Sequence, residues 1–153
     1  MLLTYFGLGW RDKRTFAIPH TNETMQHIIS RADDSPLCKI TLSGKVDVGP
    51  AKEMLTSVWL DTNYRYSRFV IWNLEACESF PDFNEFVHIV NHARKNKPRQ
   101  GPSRIAFCSS TFENSMLVKV LQGFTTALPK PARFFANEAL ALEWFAKDES
   151  DAA

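Results

Sequence analysis

The hydrophobic pattern changes period several times along the chain, and each change predicts an element. Cys38, Ile40 and Leu42 alternate with Lys39, Thr41 and Ser43, the period of two expected of a strand with one buried face. Gln26 to Arg31 reads as a weaker strand before it, and Ala32 to Pro36 carries turn chemistry, so the domain opens with an antiparallel hairpin. After Gly44 the period lengthens. Val48, Ala51, Met54, Leu55, Val58 and Trp59 recur at spacings of three and four, which predicts an amphipathic helix ending near Asp61 to Asn63.

Phe69 to Leu74 is apolar on both faces, as a central parallel strand requires, and Glu75 to Ser79 reads as a polar loop after it. A helix follows from Pro81 and Asp82, with Phe83, Phe86, Val87, Val90 and Ala93 as its buried stripe; Asp82 and Glu85 have capping-box spacing. Pro98 and Gly101 precede a strand at Arg104 to Cys108. Ser110 and Glu113 repeat the capping-box spacing, and Phe112, Met116, Leu117, Val120, Leu121 and Phe124 give the next apolar face. A last strand, Arg133 to Ala136, leads to a helix capped by Asn137 and packed through Leu140, Ala141, Trp144 and Phe145. The predicted class is α/β: a mostly parallel sheet of about five strands with an N-terminal antiparallel hairpin and about four helices. Right-handed crossovers put the helices on one face if strand order follows the sequence.

Composition narrows this only slightly. A chain of 153 residues, 44% of them hydrophobic, builds one core. The expected organisation is an extension over residues 1–24, possible membrane-surface contact included, a domain over 25–148 and a short disordered tail over 149–153. A net charge of +1 gives no field that advertises nucleic acid or an anionic membrane. Cys38, Cys77 and Cys108 lack paired spacing and read as reduced thiols, which suits a cytoplasmic protein. The apolar opening from Met1 to Trp10 is followed, not preceded, by basic residues and is too short to span a bilayer, so neither a signal peptide nor a transmembrane segment is expected.

Four pieces together resemble the STAS/SpoIIAA-like group of bacterial domains: ITLSGK (Ile40 to Lys45) leading into a helix, the FVIWNLEAC strand and loop, RIAFCSS, and the closing RFFANEALALEWF. The similarity covers about Met25 to Lys147. It implies a SpoIIAA-like fold and a regulatory, non-enzymatic role without cofactors. Members of the anti-sigma-factor antagonist type bind a partner kinase and are switched by phosphorylation of a serine at the start of the helix after the central strand. Aligning Trp72, Asn73 and Leu74 with that strand end puts Phe83 or Asn84 where the serine stands, and neither accepts a phosphate. Related lipid-exchange domains of the CRAL-TRIO type imply, by analogy, that a small apolar ligand fits such a fold.

Several groups are weighed as sites. Glu85, His88 and His92 share one side of the second helix, a spacing that could hold zinc, but they lie opposite the predicted apolar stripe, where a solvated face is expected. Arg94, Lys95, Lys97, Arg99 and Arg104 form a basic run that helix-end electrostatics explains, without the interleaved aromatics of a nucleic-acid platform. Ser109, Ser110 and Thr111 precede a helix N-terminus, and Glu75, Glu78 and Asp82 are carboxylates near the end of the central strand. Ser79 is the nearest serine to the switch position. Of the aromatics Phe80 and Phe83, Phe80 sits in the polar loop outside the helix stripe, where an exposed ring would suit a partner or a ligand mouth and burial against the first helix is the expectation. The leading expectation is a cytosolic interaction domain that binds a protein partner or small ligand through Glu75 to Phe83 and Ser109 to Phe112. No metal or nucleic acid is expected, and a homodimer is left open. The alternative is a carrier of a lipid-like apolar ligand, with Trp59, Trp72, Phe83, Phe112, Met116 and Phe124 lining a cavity.

Overall fold

A computed structural model describes residues 24–96, 101–110 and 131–152. It contains a five-stranded sheet in the order β1-β2-β3-β4-β5, so every neighbour in the sheet is a neighbour in sequence. β1 (Gln26–Ser30) pairs antiparallel with β2 (Leu37–Lys45). β3 (Phe69–Ser79), β4 (Arg104–Cys108) and β5 (Ala132–Phe135) continue the sheet in parallel. The helices among the described residues are α1 (Val48–Leu60), the short α2 (Thr62–Arg65), α3 (Phe83–Lys95) and α4 (Glu138–Ala152). The expected class and hairpin are both present.

The alternation in β2 sorts residues between the two faces of the sheet. Cys38, Ile40 and Leu42 are buried against the α1 and α3 side, where they meet Val70, Trp72 and Leu74 of β3 and Ile105 and Phe107 of β4. α1 buries Ala51, Met54, Leu55, Val58 and Trp59 into the same layer, as their spacing predicted. Its chain then turns at Asp61, whose Oδ1 accepts the Asn63 amide at 2.8 Å and starts α2, which the sequence pattern did not predict. Tyr64 is thereby delivered into the core.

The opposite face corrects the expectation that all helices lie on one side. Phe69, Ile71, Ala106 and Cys108 form a second apolar layer, and α4 closes it with Ala141 and Phe145. Right-handed crossover constrains a helix between two parallel strands. α4 follows β5 and connects no two of the described strands, so this constraint does not place it, and it covers the face that β3 leaves apolar. Phe69 and Phe145 stack with ring centroids 4.6 Å apart, and Arg104 lies 4.8 Å above the Trp144 ring. Asn137 caps this helix as expected, its Oδ1 accepting the Leu140 amide at 3.0 Å. Leu140 itself is exposed, contrary to its predicted packing, because Ala141 and Phe145 take the sheet-facing positions. The helix runs on through Ala152, into the stretch expected as a tail.

Entry into β1 depends on one glycine. Gly44 has φ +84, and a Cβ there would collide with the Thr24 carbonyl oxygen. The backbone approaches so closely that only a residue without a side chain fits. Residues 1–23, on which the expected extension falls, lie outside the described residues, as does the predicted helix face from Phe112 to Phe124.

Candidate functional site

The polar segment after the central strand is not a loop. β3 continues through Glu75, Ala76, Cys77, Glu78 and Ser79, paired with Ser43, Gly44 and Lys45 across two register shifts. The Val46 amide donates to the Ser79 carbonyl oxygen at 3.0 Å, closing this extension. On its other side β4 ends at Cys108, opposite Asn73. Beyond Asn73 the strand pairs, among the described residues, with β2 alone and projects past the end of β4, which explains polar residues in strand conformation. Glu75, Glu78 and Ser79 are exposed on this projecting end, while Cys77 is half-buried.

Two of the candidate groups meet directly. The Ser110 amide donates to Glu75 Oε1 at 3.0 Å, and its hydroxyl donates to Oε2 at 2.6 Å. These bonds stabilise the ionised carboxylate and hold Glu75 below its ordinary carboxylate range. The Ser110 side chain, read in the sequence as half of a capping box with Glu113, is thus committed to β3; Glu113 and Thr111 lie outside the described residues. Ser109 is buried, with its amide bonded to the Phe135 carbonyl oxygen at 3.1 Å, and so belongs to the sheet edge rather than to a contact surface.

Asp82 begins α3 with the capping box its spacing implies: Oδ1 accepts the Glu85 amide at 2.8 Å, and Glu85 Oε1 accepts the Asp82 amide at 3.3 Å. Such a cap is worth about 1 kcal/mol. It also occupies Glu85, taking it out of any shared arrangement with His88 and His92. His92 points toward α1 instead, with Nε2 3.0 Å from Thr56 Oγ1 and its ring stacked on Trp59. Among the described residues no three His, Cys, Asp or Glu side chains gather as a metal site.

The apolar stripe of α3 is rotated from the one expected. Phe86, Ile89 and Ala93 are buried, Val90 is half-buried, and Val87 and Phe83 face outward, Phe83 with 62% of its surface exposed. The sequence offered two overlapping apolar stripes on this helix, and the seam with α1, where His92 packs, selects the one centred on Phe86 and Ile89. Phe80, by contrast, is partly buried against the α1 side of the core. Phe80 and Phe83 therefore divide, one inward and one outward.

Behind Phe80 lies a cavity of about 80 Å³ between the sheet, α1 and α3. Trp59 and Trp72 line it as expected, with Leu42, Leu74, Phe86 and Phe107 among the other walls. Phe83 does not, and Phe112, Met116 and Phe124 lie outside the described residues. A cavity that holds benzene measures about 150 Å³, so this one is too small to enclose a lipid-like molecule whole.

Sequence reasoning missed the polar clamp on the other face. Asn73 Nδ2 donates to Glu138 Oε2 at 2.7 Å, and Lys39 Nζ reaches the same oxygen at 3.0 Å. Asn73 Oδ1 accepts the Glu75 amide at 2.9 Å. The signal was present, since Asn73 is the lone polar residue in the run from Phe69 to Leu74 and a polar group placed there needs a partner. The three cysteines are free thiols; burial pushes each of them up to about 12, so they are poor nucleophiles at neutral pH.

An antiparallel hairpin extended by parallel strands in sequential order, with helices on both faces and a capped helix after a projecting central strand, is a SpoIIAA-like fold. The chain is similar to an uncharacterised protein of the DUF3478 family with a SpoIIAA-like fold from Shewanella loihica PV-4, at 12% identity and a TM-score of 0.52, over 84% of this chain and 98% of that one. It also matches an anti-sigma factor antagonist from Mycobacterium paratuberculosis at 14% identity and a TM-score of 0.49, over 82% and 97% of the two chains. A third match is the anti-sigma factor antagonist SpoIIAA in its unphosphorylated form, at 15% identity and a TM-score of 0.45, over 79% and 98%. No family profile and no curated protein matches the sequence. No helix among the described residues is long and apolar enough to cross a membrane.

Proposed function

We propose that this chain is a non-enzymatic, cytoplasmic interaction domain that binds a protein partner through the end of β3 and the start of α3. The observation that carries the reading is Phe83, a large aromatic side chain 62% exposed at the first position of a helix whose cap is already satisfied. Val87 is exposed one turn later on the same side, and the stretch of chain that leads into Phe83 carries the exposed polar and acidic Glu75, Glu78, Ser79 and Asp82. Exposed apolar side chains next to charged ones in the chain are the materials of a protein contact surface. The carboxylates are engaged structurally, Glu75 by Ser110 and Asp82 by the α3 amides, which speaks for a scaffold and against general acid or base work.

Regulation by phosphorylation at the start of α3 has no support, because Phe83 and Asn84 occupy that place. Binding is tested by affinity capture with the full chain, comparing wild type with Phe83→Asp and with Leu60→Asp, an exposed apolar position at the end of α1. The expected result is a partner retained by wild type and Leu60→Asp and lost with Phe83→Asp. Equal retention by all three would remove the assignment of the surface.

A further inference from the structure

We infer that the cavity behind Phe80 is a binding site for the uncharged apolar end of a small molecule, about three carbons deep, separate from the surface around Phe83. Its walls come from three directions: Leu42, Trp72 and Leu74 from the sheet, Ala51 and Trp59 from α1, and Phe86 from α3. No charged side chain stands among its lining residues. A charged ligand group placed inside would have no counter-charge, so the occupant is uncharged where it is enclosed.

Size sets the second condition. At about 80 Å³, and with about 30 Å³ or somewhat less needed per carbon by comparison with a liquid water, the space holds only the tip of a larger molecule. Folded interiors are close-packed and their voids seldom exceed one water. An apolar space of this size stays dry and gains contacts when an apolar group fills it. Leu42, Val46, Leu74 and Phe80, at or beyond the carboxyl-end halves of β2 and β3, are among its lining residues, and open α/β sheets bind ligands at that end. The one hydroxyl in the lining belongs to Tyr64, which is buried and bonded to the Trp59 side chain. Burial raises that hydroxyl above its ordinary range and keeps it neutral, consistent with an uncharged occupant.

A homologous series of 1-alkanols from ethanol to decanol, added to the full chain and read by tryptophan emission and by melting temperature, measures both depth and polarity. Trp59 and Trp72 line the cavity and report its filling. The expected affinity rises about fourfold per added methylene, the equivalent of about 0.8 kcal/mol, and levels off at about butanol once the enclosed space is full. Ala51→Leu, which adds bulk from α1, is expected to weaken pentanol binding at least tenfold while the melting temperature holds or rises. Met54→Phe does the same from a neighbouring position if Ala51→Leu fails to fold. Hexanoate is expected to bind at least tenfold more weakly than hexanol. An affinity that climbs steadily to decanol and ignores both substitutions is surface partitioning and overturns the proposal. So does a wild-type chain with no saturable response whose melting temperature falls in Ala51→Leu, because the space is then filled by the chain's own residues. Loss of partner capture with Phe83→Asp leaves these outcomes unchanged, so the two sites stand or fall separately.

Discussion

Gly44 shows how much one residue can decide. Its positive φ and the Thr24 carbonyl oxygen, which any Cβ would strike, leave no room for a side chain. Gly44→Ala is expected to destabilise the fold by about 1 to 3 kcal/mol, measured by urea denaturation at constant slope. Glu75 and Ser110 give a second test at this scale. With its folded value lowered by the Ser110 bonds, Glu75 contributes stability that is present above its ordinary value of 4.5 and is lost as pH falls through the folded one. Ser110→Ala is expected to move the Glu75 titration upward toward 4.5, read by carboxyl-carbon NMR. His27 titrates in the same sense for a different reason. Burial lowers it from 6.5, with Asp61 opposing, so the unfolded chain takes up its proton first. Its contribution is present above 6.5 and is lost as pH falls through the folded value. His27→Gln is expected to flatten the decline in melting temperature just below pH 6.5.

Elements were legible in the sequence to different depths. β2 and α1 were read correctly because each has one buried face and a clean period: Cys38, Ile40 and Leu42 in one, Ala51 to Trp59 in the other. The end of β3 was misread because Glu75 to Ser79 is polar, and polarity marks a loop only when the strand has neighbours on both sides; here β4 ends at Cys108, opposite Asn73. In α3, Phe83, Val87 and Val90 compete with Phe86 and Ile89 for the core, and only packing against α1 decides between them. Phe86→Ala is therefore expected to cost about 3 to 5 kcal/mol of stability, whereas Phe83→Ala stays within about 0.5 kcal/mol, as exposed positions do. Denaturant unfolding of both variants checks the difference. Of the candidate site, the capping pair Asp82 and Glu85 was legible, but the Ser110 bond to Glu75 joins residues far apart in sequence, which no local pattern contains.

Across the whole molecule, the two faces of the sheet have separate tasks. α1 and α3 enclose the larger core and its cavity, while α4 closes the smaller layer and is pinned at its start by Asn73, Lys39 and Glu138. The projecting end of β3 and the start of α3 stand at one end of this scaffold, with Cys38 and Cys108 buried, Cys77 half-buried, and Glu75 and Asp82 held by hydrogen bonds. The proposed contact surface thus rests on packed elements. The most direct measurement of the surface is site-specific photocrosslinking in the native cell, with p-benzoylphenylalanine placed at Phe83 or at Tyr66, which is somewhat more exposed and lies just after α2. A discrete adduct from position 83 that position 66 does not form is the predicted result. Identical adducts from both positions, or none from position 83, would contradict it.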